Sequence, residues 1–412
     1  MTSNEWKKCK LGELCSNITS GGTPKSTNNA YYNNGNIPWL NTKEVKFNRI
    51  YNTEKCISEL GLNNSSAKWI KPNNVIVAMY GATAGNVAIN KIPLTTNQAC
   101  CNLEIDKSIA HYEFIYYYLL NNYNILFSMA NGGAQQNLNS LQIKNFEISI
   151  PTFKTQQKIA KVLNAIDDKI ELNNSINNNL EQQIKYLYND YFCNCNEEIK
   201  ITELIDVRDG THDSPKSTEQ GKHLITSKHL KKYGVDKSTA NIISEFDYAK
   251  INERSIVCTN DILISMIGTV GIVSLIIENP VDFAVKNVGI FKTSNFIEYT
   301  YYIHCFLNSN NTQNYIKSHL AGTTQKYISL GELRNLIINK PDESQLNKFN
   351  LIVHPLYQQI ILNVKENVRL TQLRDTLLPK LMSGEIDVSK VEIDDILENQ
   401  STDKLLFSED KS

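Results

Sequence analysis

The stretch Lys158–Leu187 reads KIAKVLNAIDDKIELNNSINNNLEQQIKYL. Ile159, Leu163, Ile166, Ile170, Asn173, Asn177, Leu180, Ile184 and Leu187 follow one another in alternating steps of four and three, which is a heptad seam. No proline interrupts residues 156–188, so the spacing predicts one uninterrupted helix of ~50 Å at 1.5 Å per residue. The stretch Lys348–Leu377 carries the same seam as Phe349, Val353, Leu356, Ile360, Asn363, Asn367, Leu370, Arg374 and Leu377. Pro355 lies near its start and predicts a kink or a late helix start there. Both seams place two asparagines at matching positions, Asn173 and Asn177 against Asn363 and Asn367. If the seams pack antiparallel, these amides meet near the middle and set the coiled-coil register, since a buried amide must be paired. The alternative is that this part of the seam faces solvent.

The seams sit 190 residues apart, and working outward the same offset recurs along the chain. Lys10, Glu13 and Leu14 fall on Lys200, Glu203 and Leu204, and Pro24-Lys25-Ser26 falls on Pro215-Lys216-Ser217 after a one-residue slip. Gly81 corresponds to Gly268, Asn97 to Asn287, Gly133 to Gly322, Gln136 to Gln325 and Pro151 to Pro341. One register held this long means a duplicated unit, and two copies of this size imply a pseudo-two-fold internal repeat rather than a solenoid.

Each copy changes texture along its length. Residues 1–151 and 196–341 are rich in Gly, Asn, Thr and Tyr, with short apolar strands such as Val75–Met79 and Ile262–Met266 and one helix-like stretch at 111–122 and again at 298–309. Residues 152–195 and 342–385 carry the seams, and 386–412 form an acidic tail. The expected fold class is α+β: two tandem α/β domains separated by two long helices that form an antiparallel coiled coil.

The net charge of −1 is an average over unlike parts. Residues 385–412 hold nine acids against Lys390, Lys404 and Lys411, so that segment is at −6 and the rest at +5. A mildly basic body permits a nucleic-acid partner. The nine cysteines form no C-x-x-C pair, so reduced cytosolic thiols are expected, not a zinc site or a disulfide framework. The start, MTSNEWKKCK, lacks an apolar signal region. The uncharged, strongly apolar run Ile262–Ile277 contains Gly268 and Gly271 and reads as two strands about a glycine turn, not a membrane span. A cytoplasmic protein without membrane contact is the expectation.

Catalytic patterns are wanting. Asn279-Pro280-Val281 lacks the second proline and the aromatic residue of a base-flipping methyltransferase motif. In Gly210-Thr-His-Asp-Ser-Pro-Lys-Ser217, Pro215 stands where a phosphate loop needs glycine, and proline has no N–H to give a phosphate. His212 and His223 have no ligand pair at metal spacing and read as loop histidines, and Asp342 and Glu343 read as helix N-terminal acids. A binding protein without cofactor or metal is expected.

Several stretches in a fixed order resemble the specificity subunit of type I restriction-modification enzymes. Trp6-Lys7 with Lys10-Leu-Gly-Glu-Leu14 opens the first half. Gly21-Gly22-Thr23-Pro24 with Asn36-Ile-Pro-Trp-Leu40 resembles the start of a target recognition domain, and Asp209-Gly-Thr-His-Asp-Ser-Pro-Lys216 resembles another such start. Leu373-Arg-Asp-Thr-Leu-Leu-Pro-Lys-Leu-Met-Ser-Gly-Glu385 resembles the family's C-terminal helix ending. The resemblance implies two recognition domains, each reading one half of a split site in double-stranded DNA, with paired helices as spacer. It also implies two docked methyltransferase (modification) subunits, which two ATP-dependent restriction subunits can join, and no catalysis by this chain itself.

On that reading the DNA-binding candidates of the first domain are Ser20, Gly21, Gly22, Thr23, Lys25, Lys43, Tyr80, Gly81, Thr83, Asn97, Gln98, Gln135, Gln136 and Asn137. Those of the second are Thr211, His212, Lys216, Lys228, Gly268, Thr269, Lys286, Asn287, Thr324, Gln325 and Lys326. Glycine turns let backbone N–H groups approach phosphates, and Asn and Gln amides can bond a base edge. The same residue types are ordinary turn formers, and Asn97 and Asn287 could equally be buried amides. Because most loop residues differ between the copies, two unlike half-sites are expected. The competing function is a coiled-coil scaffold or adaptor with protein-binding globular heads.

Overall fold

A computed structural model describes residues 6–130, 137–193 and 197–388. The chain divides into two compact units, residues 1–169 with 370–412 and residues 170–369. Two 40-residue helices, Phe153–Phe192 and Glu343–Met382, each contribute one part to either unit.

In the first unit a five-stranded sheet runs in the order Cys15–Ser20, Cys100–Ile105, Val75–Ala78, Val87–Asn90, Asn48–Ile50. Its pairings are antiparallel except the last, which is parallel. Side chains alternate across a strand. Val75 and Val77 therefore join Val87, Ile89, Cys101 and Leu103 in one core cluster, while Ile76, Ala78 and Ala88 join another with Leu40, Ile50 and Leu94. The first cluster takes in Phe114, Ile115 and Tyr117 of helix Tyr112–Asn121, together with Ile159 and Leu163 of the first long helix and Leu378 and Leu381 of the second. Full burial of each such aliphatic side chain is worth about 1.5–3 kcal/mol. A four-stranded sheet, Lys55–Ile57, Ile37–Leu40, Leu94–Thr96 and Trp69–Ile70, lies on the other side.

The second unit repeats the plan with a four-stranded sheet in the order Val207–Asp209, Val288–Phe291, Ile262–Ser265, Val273–Leu275. The uncharged run is indeed an antiparallel hairpin, its turn made by Gly268 and Gly271 at φ +79° and +93°. One face packs on Tyr302 and Ile303, on Ile184 and Phe192 of the first long helix, and on Phe349, Val353, Tyr357 and Ile360 of the second. Corresponding backbone hydrogen bonds make the duplication visible. Leu11 N donates to Phe146 O at 2.9 Å as Ile201 N donates to Leu336 O at 2.9 Å, and Leu138 N donates to Met79 O at 2.8 Å as Ile328 N donates to Met266 O at 2.9 Å.

The long helices pack together antiparallel. In the second unit Asn173 Nδ2 donates to Asn367 Oδ1 at 2.9 Å and Asn363 Nδ2 donates to Asn177 Oδ1 at 2.8 Å. A step of four up one helix is thus matched by a step of four down the other. Within the first unit Arg374 Nη1 lies 3.1 Å from Asp167 Oδ1. Burial weakens the Arg374 cation, but the Asp167 and Asp375 carboxylates outweigh that and hold its pKa above the usual value.

The late start expected at Pro355 does not occur: the helix begins at Glu343 and continues through the proline. The carbonyl that loses its N–H partner belongs to Leu351, which is 79% exposed, so water can take the place of the missing donor. Asp342 caps this helix by accepting from Gln345 N at 3.1 Å.

Candidate nucleic-acid interface

In the first unit, backbone hydrogen bonds join the separate candidate stretches at one end of the five-stranded sheet. Strand Cys15–Ser20 ends in Gly21 and Gly22, and Gly22 N donates to Thr96 O at 2.9 Å. Both glycines are required by close approach, because a Cβ on Gly21 would sit 1.9 Å from Thr96 O and one on Gly22 would sit 2.4 Å from Ala67 N. Trp39, 4% exposed, donates from Nε1 to Gly22 O at 2.9 Å and pins the loop from beneath. Thr23 Oγ1 donates to Gln98 Oε1, so this loop and the Asn97-Gln98 turn are tied by side chains as well. Next along, Met79 N donates to Ala99 O at 2.8 Å, and Tyr80 bridges Asn137. Gly81 follows at φ +73° with nothing within 4 Å of where its Cβ would be.

Exposure divides the candidates. Ser20, Thr23, Lys25, Lys43, Tyr80, Gln98 and Asn137 are exposed, while Gly81 and Thr83 are half-buried. Asn97 is buried, and its Oδ1 accepts from Ala99 N at 3.2 Å, which makes it a turn-former inside the sheet end. Lys43 sits in the short turn Thr42–Glu44 and pairs with Glu54 at 2.5 Å. The hydrogen bond and charge of Glu54 raise the pKa of Lys43, so a phosphate would have to displace an existing anion. Gln135 and Gln136 lie outside the described residues.

The second unit gathers its stretches in the same way. Thr211 N donates to Val285 O at 3.0 Å, Asn287 N donates to Thr211 O at 3.1 Å and Lys286 N donates to Ile225 O at 2.8 Å. Gly268 N donates to Lys326 O at 3.2 Å, bringing the hairpin turn to the Thr324–Lys326 segment. His212, Lys216, Lys228, Gly268, Thr269, Thr324, Gln325 and Lys326 are exposed, and Thr211, Lys286 and Asn287 half-buried. Lys286 Nζ donates to Ser214 Oγ, which draws the Thr211–Lys216 loop over the sheet end.

Sequence reading missed the support beneath this loop. Asp209, 3% exposed, accepts from Arg254 Nη2 and lies 2.9 Å from His212 Nε2, while its carbonyl accepts from Ser255 Oγ at 2.8 Å. Arg254 and Ser255 end the helix Glu245–Ser255, where the first unit has only the short helix Glu59–Asn63. No local pattern could have joined residues 45 apart. Trp39, by contrast, stands in the Asn36–Leu40 stretch already singled out.

Two unlike domains that each bring four or five separate loops to one sheet end, on helices paired by a heptad seam, define a tandem recognition protein. The pattern of the type I restriction modification DNA specificity domain matches residues 3–182 and again 196–372. The chain belongs to that family and carries two copies of its domain. It is 30% identical over 424 aligned positions to the MjaIX type I restriction enzyme specificity subunit of Methanocaldococcus jannaschii, covering 94% of this chain and 95% of that protein. It is 28% identical to the EcoR124I/EcoR124II specificity subunit of Escherichia coli, over 45% of this chain and 46% of that protein. The fold is that of the type I S subunit from M. genitalium, with a TM-score of 0.57 at 18% identity, covering 92% of this chain and 97% of that one. Among the described residues no helix is long and apolar enough to cross a membrane.

Proposed function

We propose that each recognition domain reads one half of a bipartite site in double-stranded DNA, and that the chain recognises without catalysing. Residues 1–151 and 196–341 are taken as the recognition domains, 152–195 and 342–385 as the helical segments, and 386–412 as an acidic tail. Two methyltransferase subunits, and restriction subunits where the system has them, would supply the chemistry at the site this chain selects. One observation carries the reading: corresponding hydrogen bonds gather corresponding loops in both domains, yet the side chains offered differ. Thr23 and Gln98 are offered by one and His212 and Lys286 by the other, beside lysines that both share at Lys25 and Lys216. A shared scaffold with unlike loops suits recognition of two unlike half-sites.

Phosphate contacts would come from Lys25, Lys216, Lys228 and Lys326 and from the open Gly81 and Gly268 turns, base contacts from the Asn and Gln amides. The buried asparagines of the helices would hold coiled-coil register. The test is co-expression with the modification subunits of the same locus, followed by sequencing of methylated genomic DNA. Adenine methylation at one two-part motif is expected, and affinity for that motif should fall at least ~100-fold between 50 and 200 mM salt. No new methylation, or affinity indifferent to salt, would overturn the reading.

A further inference from the structure

In each domain one antiparallel bridge joins the glycine turn to the segment before a short helix, Ser140–Lys144 in the first and Leu330–Arg334 in the second. Tyr80 bridges Asn137, and Ile267 bridges Tyr327. The two bridges correspond, because the bond from Leu138 N to Met79 O lies beside the first as that from Ile328 N to Met266 O lies beside the second. Residues opposite one another in such a bridge share a face, and their neighbours take the other. Met79, Leu138, Met266 and Ile328 all lie in the cores, so the bridged residues face outward. That outward face carries one tyrosine in each domain, supplied from opposite strands: Tyr80 is 40% exposed and Tyr327 43%. The backbone beneath each is fixed. Tyr327 exchanges two hydrogen bonds with Ala321, at 2.9 and 3.0 Å, and its ring edge rests on Gly322, where a Cβ would come 3.3 Å from Cδ1. Gly81 and Gly268 directly follow Tyr80 and Ile267, and each turn is open. Among the described residues neither tyrosine hydroxyl has a hydrogen-bond partner, whereas that of Tyr118 accepts from Ser149 N at 3.1 Å and that of Tyr302 donates to Asn339 O.

We propose that Tyr80 and Tyr327 are equivalent anchors on the DNA backbone, one in each domain: the ring lies on a deoxyribose beside the glycine turn, and the hydroxyl donates to a phosphate oxygen. The inference rests on the DNA-reading function proposed above. Two domains with unlike loops keep the same residue type at the same place, while drawing it from different strands. What both tyrosines meet is then a feature common to any duplex, which is sugar and phosphate and not a base edge. A tyrosine suits such a surface, being apolar across its ring and polar at its tip. Tyr80 already stands among the candidates of the first domain, and the bridge adds Tyr327 as its counterpart in the second. Neither carries charge, so each adds affinity without adding to the release of counterions that the lysines bring about.

The test compares the full chain with Tyr80→Ala, Tyr327→Ala, Tyr80→Phe and Tyr327→Phe, each co-expressed with the modification subunits. Affinity is titrated against a duplex carrying the methylated motif and one lacking it, over a range of salt. Each alanine variant should bind both duplexes about tenfold more weakly, through the apolar area it no longer covers. Each phenylalanine variant keeps the ring and should fall only about threefold. The methylated motif, the slope of affinity against salt and the urea midpoint should stay as in the native chain, whereas Lys326→Ala should flatten that slope. An altered motif, a loss confined to the motif duplex, or alanine variants that bind like the native chain overturn the assignment while leaving DNA reading intact. A native complex that binds neither duplex overturns both.

Discussion

Asn363 donates its side-chain amide to Asn177 across the two long helices at 2.8 Å, with both residues less than a tenth exposed. By the internal repeat Asn363 corresponds to Asn173, yet its partner is the residue four places on. The antiparallel course of the helices crosses the pairs, and Asn173 meets Asn367 and Glu366 instead, at 2.9 and 2.7 Å. The paired amides satisfy each other, which an apolar seam would not require.

Replacing only Asn363 by leucine strands the amide of Asn177 and should cost about 1–3 kcal/mol in urea unfolding. The double change Asn177→Leu, Asn363→Leu removes both polar groups and should recover most of that loss. A double variant as unstable as the single one would show that the amides are not coupled.

A second buried pair lies inside the second unit. Lys292 and Asp261, 4% and 0% exposed, form an ion pair, and Asp261 also accepts from Cys258 N at 2.7 Å and Ser294 N at 3.1 Å. Lys292→Met leaves that carboxylate enclosed without its cation and should destabilise the unit by about 3–5 kcal/mol. Trp6, Trp39 and Trp69 all belong to the first unit. Tryptophan fluorescence should therefore barely register the loss that far-ultraviolet circular dichroism records.

Acid should weaken the second unit through His304. Burial pushes this histidine down to about 4, with the nearby charge of Lys232 adding to the effect, and its Nδ1 lies 2.8 Å from Tyr357 Oη. An unfolded histidine titrates near 6.5. Between those values the unfolded chain takes up a proton that the folded chain refuses, so stability is full above about pH 6.5 and falls as the pH drops toward 4. The loss attributable to this residue is roughly 3 kcal/mol. His304→Gln should flatten the dependence of the urea midpoint on pH over that interval, and an equally steep dependence in the variant would count against it.

The glycines of the candidate interface should separate by mechanism. Gly21→Ala drives a methyl group into Thr96 O and should destabilise the first unit by about 3 kcal/mol. Gly81→Ala meets no protein atom and carries only the left-handed backbone penalty of ~1–2 kcal/mol. If DNA lies against that turn, Gly81→Ala should lower DNA affinity well beyond its effect on stability. Urea unfolding and a binding titration on the same protein check this.

The duplication, the seams of the long helices, the hairpin within Ile262–Ile277 and the helices at Tyr112–Asn121 and Thr300–Asn308 were legible without coordinates. All are local: a period of 3.5 or 2, or a glycine turn, is written in neighbouring residues, and a fixed offset needs only comparison of the chain with itself. The burial of Asn97 against the presentation of Asn287, the crossing of the seam asparagines and the joining of Asp209 to Arg254 were decided only by the tertiary structure. Identical residue types at matching positions diverged there, because strand order and helix direction set which distant groups come within hydrogen-bonding distance. Neither property is carried by any short stretch of sequence.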